Sequence, residues 1–248
     1  MGEDWRSCED LGKLRERPAP IEEEFKLCER VSLSDWPSVI CLQKHIARYN
    51  LALPYCEDKC VADVGSGLGW GSSLVANVSR SVCGVEIDTP SYESSVAEYA
   101  KQIADGKLQF FNQSWMAFNW GVGNEVGPLE TIVAFEVFEH IACPLEEIVL
   151  HTYRQLRPRT VLSPGGVLVA SLPVMQGSNV YHLAGDMTYE DCRNTFLSGV
   201  DWEWYRFYYQ HVDSREDSSL NVSIYDDDNG EVGAGKDSGY VIFVGGRV

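Results

Sequence analysis

A chain of 248 residues, 44% of them hydrophobic, is long enough to bury one large core and fits a single sizeable domain with trimmings. Its formal net charge of −17, from 20 Lys and Arg against 37 Asp and Glu, argues against a nucleic-acid partner, because phosphate backbones are held by cationic contacts that release counterions. No apolar run is long enough to cross a bilayer and no charged-then-apolar leader opens the chain. Neither a membrane span nor secretion is therefore expected, and a cytoplasmic setting is.

The eight cysteines (Cys8, Cys28, Cys41, Cys56, Cys60, Cys83, Cys143 and Cys192) contain no C-x-x-C pair. Cys56 and Cys60 lack a second pair of Cys or His ligands nearby, so free thiols in a reducing compartment are expected rather than disulfides or zinc. Residues 1–35 are charged and interrupted by Pro18 and Pro20, and read as an arm; Glu22 to Glu24 form a solvated face. Ser34-Asp35-Trp36-Pro37 suits the start of a helix that runs through Val39, Leu42, Gln43, Ile46 and Tyr49.

The stretch from Val61 to Ser73 is an apolar strand that ends in Gly65-Ser66-Gly67-Leu68-Gly69, followed by a helix-compatible segment from Ser72 to Val78. Glycines there permit a tight turn and close backbone approach to a ligand. The spacing is G-x-G-x-G rather than the dinucleotide fingerprint. Ser81 to Asp88 reads as the next buried strand, and its Glu86 lies 23 residues after Asp63. That is close to the roughly 20-residue spacing at which an acid meets a ribose hydroxyl in nucleotide-binding α/β folds.

These two motifs resemble those of the class I S-adenosylmethionine (SAM)-dependent methyltransferases, whose first motif runs D-x-G-x-G-x-G and whose second strand ends in G-V-D or G-V-E. The resemblance covers about Ile46 to Phe207 and implies an α/β fold over residues 36–248. That fold is a Rossmann-like, doubly wound, mostly parallel seven-stranded sheet with helices on both faces and an antiparallel edge strand. It implies SAM as cofactor. Asp63, Gly65, Ser66, Gly67 and Gly69 belong to the cofactor turn, with the glycines under the methionine moiety, and Glu86 meets the ribose. The segment from His45 to Tyr55 resembles the helix preceding the core in bacterial methyltransferases found beside sugar-modifying genes, which implies that Arg48 reaches the methionine carboxylate.

Further along, Thr89 to Ala104 shows apolar residues at helical spacing (Tyr92, Val96, Tyr99, Ile103), and Lys107 to Asn112 is the third strand. Where the family has Gly-Asp-Ala, this chain has Gln113-Ser114-Trp115. Ser114 is then expected to accept one hydrogen bond from the adenine, and Trp115 to stack on it. Gly121 to Gly127 is a turn-rich loop. Leu129 to Phe135 is the fourth strand, with Phe135 at the cofactor pocket. A helix follows from Leu145 to Leu156. Arg157 to Val161 precede a turn and fifth strand within Ser163 to Pro173, and Met187-Thr188 opens another helix. Trp202 to Val212 and Tyr240 to Val244 form an antiparallel pair at the sheet edge. The acidic stretch within 213–239 reads as an exposed loop or small hairpin, without the spacing of a calcium loop.

Glu136, Glu139 and His140 follow the fourth strand, at the end of the sheet where α/β sites lie. On a helix, E-x-x-E-H brings Glu136 beside His140 and Glu139. Two chemistries are open. His140 can act as a general base, with Glu139 beside it, to take the acceptor proton. Alternatively Glu136, Glu139 and His140, with His182 as a fourth ligand, can hold Mg2+. The pattern resembles both quinone-biosynthesis and sugar O-methyltransferases and the small-RNA 2′-O-methyltransferases. The expected reaction is transfer to a hydroxyl of a small molecule or glycan. An RNA 2′-O-methyltransferase and a SAM-binding protein without catalysis are the alternatives.

Overall fold

The computed structural model describes residues 39–120, 128–174, 187–212, 222–226 and 239–248. The expected arm (1–35), the Ser34–Pro37 helix start, the Gly121–Gly127 loop, His182 and most of the acidic stretch lie outside the described residues. An opening helix α1 (Val39–Cys56) leads into β1 (Cys60–Val64), α2 (Trp70–Ala76), β2 (Ser81–Glu86), α3 (Thr89–Glu98), α4 (Ala100–Ala104) and β3 (Leu108–Asn112). The second half runs β4 (Thr131–Phe135), α5 (Leu145–Gln155), β5 (Val167–Val174), α6 (Tyr189–Leu197), β6 (Trp202–Val212), β7 (Val222–Asp226) and β8 (Gly239–Arg247).

All eight strands join one sheet in the order β3-β2-β1-β4-β5-β8-β6-β7. β1 to β5 are mutually parallel, and β8, β6 and β7 continue the sheet antiparallel. The chain reverses its direction of travel across the sheet at β1 and β4, so the carboxyl ends of those two strands flank the crevice where such sheets take ligands.

Alternation along the strands separates two apolar layers. Val61, Val133 and Phe135 pack with Tyr49 and Ala52 of α1 and Val75 of α2 on one face. Ala62, Ile132 and Ala134 pack with Ile148 and Val149 of α5 and Phe196 of α6 on the other. Strands covered on both sides read as near-continuous apolar runs, which is why β1 and β4 are buried along their whole length. Thr188 and Asp191 form a reciprocal capping box at the start of α6, as the acidic first turn anticipates.

Two elements differ from the sequence reading. The helix expected over Thr89–Ala104 breaks at Tyr99, whose backbone leaves the helical region (φ −102°, ψ 22°) and whose ring lies against Phe110 of β3. The seven expected strands are joined by an eighth. β7 emerges from the acidic stretch and pairs with the last five residues of β6, and Ile224 on it packs against the α1 side of the core. The local alternation Val222-Ser223-Ile224-Tyr225 is a strand pattern that the neighbouring Asp226-Asp227-Asp228 obscures. The five cysteines whose side chains are described are free thiols, four of them buried. No helix of the described residues is long and apolar enough to cross a membrane.

At the amino ends of the strands, buried Glu130 accepts from the Cys60 backbone N–H at 3.1 Å and pairs with Arg80 and Arg157 at 2.9 Å each. Removing this carboxylate strands the largely buried Arg157, whereas Arg80 keeps its contacts with Asp58. Glu130→Ala is expected to destabilise the fold by about 2–3 kcal/mol, less than for a fully buried pair because Arg80 is half-exposed. Urea unfolding measures this, and a loss below about 0.5 kcal/mol would contradict it.

Candidate cofactor and methyl-transfer site

The turn after β1 is built around a shortage of room. Gly65 has φ +65°, and a Cβ there would sit 2.3 Å from a methyl of Val137, so β1 and the segment after β4 touch through a missing side chain. Gly67 has φ +53°, but a Cβ added there meets no atom within 4 Å. The first glycine is therefore a packing requirement, whereas the second opens onto empty space.

Glu86 at the end of β2 is 9% exposed, and both its oxygens are oriented by the backbone. Oε2 accepts from the Gly67 N–H at 2.8 Å and Oε1 from the Asp88 N–H at 2.8 Å. A carboxylate has about four lone-pair sites, so capacity remains for two ribose hydroxyls. Ile87, next in sequence, is 70% exposed. An isoleucine so exposed beside this carboxylate offers an apolar face to a planar ring, and the sequence reading missed it. Ser66 Oγ is buried, with no hydrogen-bond partner among the described residues. An open cradle at Gly67, a pre-oriented carboxylate and an unsatisfied hydroxyl fit a nucleoside carrying an amino-acid tail.

Asp63 is fully buried and serves the protein rather than the crevice. It accepts from Tyr49 Oη of α1 at 3.0 and 3.2 Å and from Ser72 Oγ of α2 at 2.6 Å. Burial pushes its pKa up to about 6, against the opposing pull of the Ser72 and Tyr49 hydrogen bonds. The acid of the first motif thus clamps two helices to β1. Phe135 lies in the same layer, its ring edge-on to Tyr49 at 5.2 Å and 6% exposed.

Trp115 corrects an expectation. It is 4% exposed, its Nε1 donates to Thr152 Oγ1 at 2.8 Å, and its ring stacks on Phe118 at 5.4 Å. It belongs to the α5 layer of the core and presents no face to a purine. Ser114, half-buried at the start of the same 3-10 turn (Trp115–Ala117), makes no side-chain capping bond.

The E-x-x-E-H stretch is also not the helix that the spacing suggests. Glu136 takes a left-handed backbone conformation (φ 55°), and a 3-10 turn spans only Phe138–His140. The two carboxylates consequently diverge. Glu136 forms an ion pair with Arg48 of α1 and lies 3.8 Å from His45 Nε2. Buried Glu139 lies near Cys192 of α6, whose thiol it helps to push up to about 12 together with burial. Among the described residues no group of three His, Cys, Asp or Glu could hold a metal ion. Burial raises the Glu136 pKa, but Arg48, then His45, Lys44 and His140, outweigh it and hold the carboxyl below its usual value. His45 is lowered to about 4, chiefly by burial.

Arg48 is fully buried. Its Nη1 donates to Gln210 Oε1 on β6 at 2.7 Å, and its guanidinium lies 4.4 Å from the centre of the Tyr240 ring on β8. Gln210 Nε2 also donates to the Lys44 carbonyl at 3.1 Å, so one side chain grips α1 twice. No local signal in the sequence points to Gln210, which is 162 residues from Arg48.

The fold has matches among solved structures. The N-methyltransferase NodS from Bradyrhizobium japonicum WM9, in complex with S-adenosyl-L-homocysteine, superposes with a TM-score of 0.54 at 10% identity, over 97% of both chains. The fold is that of the class I methyltransferases. The structure described as StiE O-MT residues 961–1257 matches with a TM-score of 0.53 at 13% identity, over 84% of this chain and 74% of that one. In sequence, the chain is 26% identical over 131 residues to a Mycolicibacterium smegmatis protein described as a probable S-adenosylmethionine-dependent methyltransferase. That stretch is 53% of this chain, which thus spans less than half (44%) of the relative's length. No protein-family model matches the chain.

The Asp63 clamp makes stability depend on pH with a defined sign. Its folded pKa of about 6 stands above the ordinary 3.8. Its contribution is fully present below pH ~4 and is lost as pH rises through about 6. Asp63→Asn should therefore gain on the wild type by about 2–3 kcal/mol between pH 4 and 7.5. Paired urea unfolding at the two pH values tests this, and a gap that stays constant or narrows would refute it.

Proposed function

We propose that the protein is a SAM-dependent methyltransferase acting on a hydroxyl of a small molecule or glycan. The observation that carries the reading is the pairing of Gly67, whose missing side chain leaves open space, with the Glu86 carboxylate hydrogen-bonded to its backbone. Two structures of the same fold, an N-methyltransferase and an O-MT, are consistent with transfer chemistry. The net charge of −17 disfavours an RNA acceptor. The departure at Gln113-Ser114-Trp115 keeps a SAM-binding protein without catalysis as the second reading.

When bound, SAM supplies a methyl carbon on a sulfonium. Glu86 holds the ribose hydroxyls, the Gly65–Gly69 backbone lies under the methionine moiety, and Arg48 answers its carboxylate. Ser114 takes one adenine hydrogen bond and Ile87 covers the ring. His140, at the end of the 3-10 turn, accepts the proton of the acceptor hydroxyl as the new bond forms. An imidazole is a common general base for such a proton transfer.

Calorimetry with SAM and S-adenosylhomocysteine tests the cofactor assignment. Glu86→Ala should lose about 1.5–3 kcal/mol of affinity, and Gly67→Val should lose binding while still folding. Unchanged affinity in both variants would reject the site. Mass spectrometry of acceptor panels with methyl-labelled SAM then identifies the product. On that acceptor, His140→Ala should reduce turnover by roughly 10²–10⁴-fold at unchanged SAM affinity, with EDTA without effect. Near-normal turnover would leave this histidine structural.

A further inference from the structure

Arg48 has three nitrogen donors, and the structure divides them unequally. Nη1 is taken by Gln210 Oε1 at 2.7 Å. Nε and Nη2 are buried, with no hydrogen-bond partner among the described residues, although Nη2 stands in ion-pair contact with Glu136. Those two N–H groups point in parallel along one edge of the guanidinium, which is the edge that grips a carboxylate bidentately.

The far side of the guanidinium is occupied by two residues of different strands. Gln210 and Tyr240 stand opposite one another in the β6–β8 register. One supplies the amide oxygen and the other the aromatic face, 4.4 Å away. Gln210 is itself fully buried and is fixed by its second bond, to the Lys44 carbonyl. A long arginine side chain ordinarily loses much rotamer freedom on binding a ligand. Here that freedom is already removed, from a part of the sheet that lies outside the β1–β4 crevice.

We propose that Gln210, assisted by Tyr240, is a positioning residue for the amino-acid end of the cofactor: it occupies Nη1 and thereby aims the Nε/Nη2 edge of Arg48 at the cofactor carboxylate. This rests on the methyltransferase reading and on the role of Arg48 in it. Glu136 pairs with Nη2 on that edge, and its side chain is 24% exposed while Arg48 is wholly covered. The Glu136 carboxylate turns aside when the edge is used. Its charge then faces the ammonium of the same amino acid, so one buried ion pair is exchanged for two and no charge is left unpaired.

The test compares two ligands that share the nucleoside and the thioether. S-adenosylhomocysteine carries the amino-acid end and 5′-methylthioadenosine does not. Calorimetry on the full chain should show that Gln210→Leu, which keeps bulk but removes both hydrogen bonds, weakens S-adenosylhomocysteine about tenfold or more. The same variant should bind 5′-methylthioadenosine within about twofold of wild type. Gln210→Glu, which retains an acceptor for Nη1, should recover most of the lost affinity. Tyr240→Leu should show the same ligand-selective loss to a smaller extent, and it serves alone if the Gln210 variants do not fold. Equal weakening of both ligands, or of neither, would overturn the proposal and leave Gln210 a structural clamp on α1. A wild-type protein that binds neither ligand would overturn the cofactor reading itself.

Discussion

A guanidinium cannot be left unpaired where water does not reach, and Arg48 is wholly buried. Satisfying it ties together parts of the chain that no local preference would join. Helix α1 supplies the charge and the end of β4 supplies Glu136. The antiparallel pair β6–β8 supplies Gln210 and Tyr240. The same helix turn carries Tyr49, whose hydroxyl answers the buried Asp63 on β1. Two adjacent residues of one helix thus answer two carboxylates, one on β1 and one just past the end of β4. The opening helix is consequently fixed over the carboxyl ends of β1 and β4, where the crevice lies.

The opposite end of the sheet solves its own problem independently. Glu130 gathers Arg80, Arg157 and the Cys60 N–H, and none of these groups takes part in the Asp63 or Arg48 clusters. The segments that follow the strands at the crevice can therefore change without disturbing the network that anchors where the strands begin. A shared fold then need not mean a shared acceptor, and the similar structures include both an N-methyltransferase and an O-MT.

Much of this was legible in the sequence because it is local. Strand, glycine turn and acid-tipped strand are patterns of neighbouring residues, and they put Gly67 in the turn after β1 and Glu86 at the end of β2, where the structure has them. The misreadings share a different cause. Trp115 follows the third strand, where the resemblance implies an adenine contact, yet its indole N–H finds Thr152 in a helix 37 residues away, and the core claims it. E-x-x-E-H carries helical spacing, yet the positive φ at Glu136 separates its two carboxylates before any helix forms. Gln210 gave no signal at all, since its meaning depends on a partner in the opening helix. Local patterns reveal which backbone a ligand can approach. Which side chains remain for it depends on what the core has already taken.

The backbone of Glu136 carries one consequence for the design and drift of this protein. A glutamate held at φ 55° is in a conformation that glycine or asparagine adopts more readily, at a penalty on the order of 1 kcal/mol. A variant library sorted for heat resistance alone would relax this position toward the smaller residues, provided that Arg48 found another counter-charge. A library sorted for ligand capture would hold the glutamate in place. Deep sequencing of the two pools would thus read out, at a single codon, how far the demands of folding and of binding pull apart.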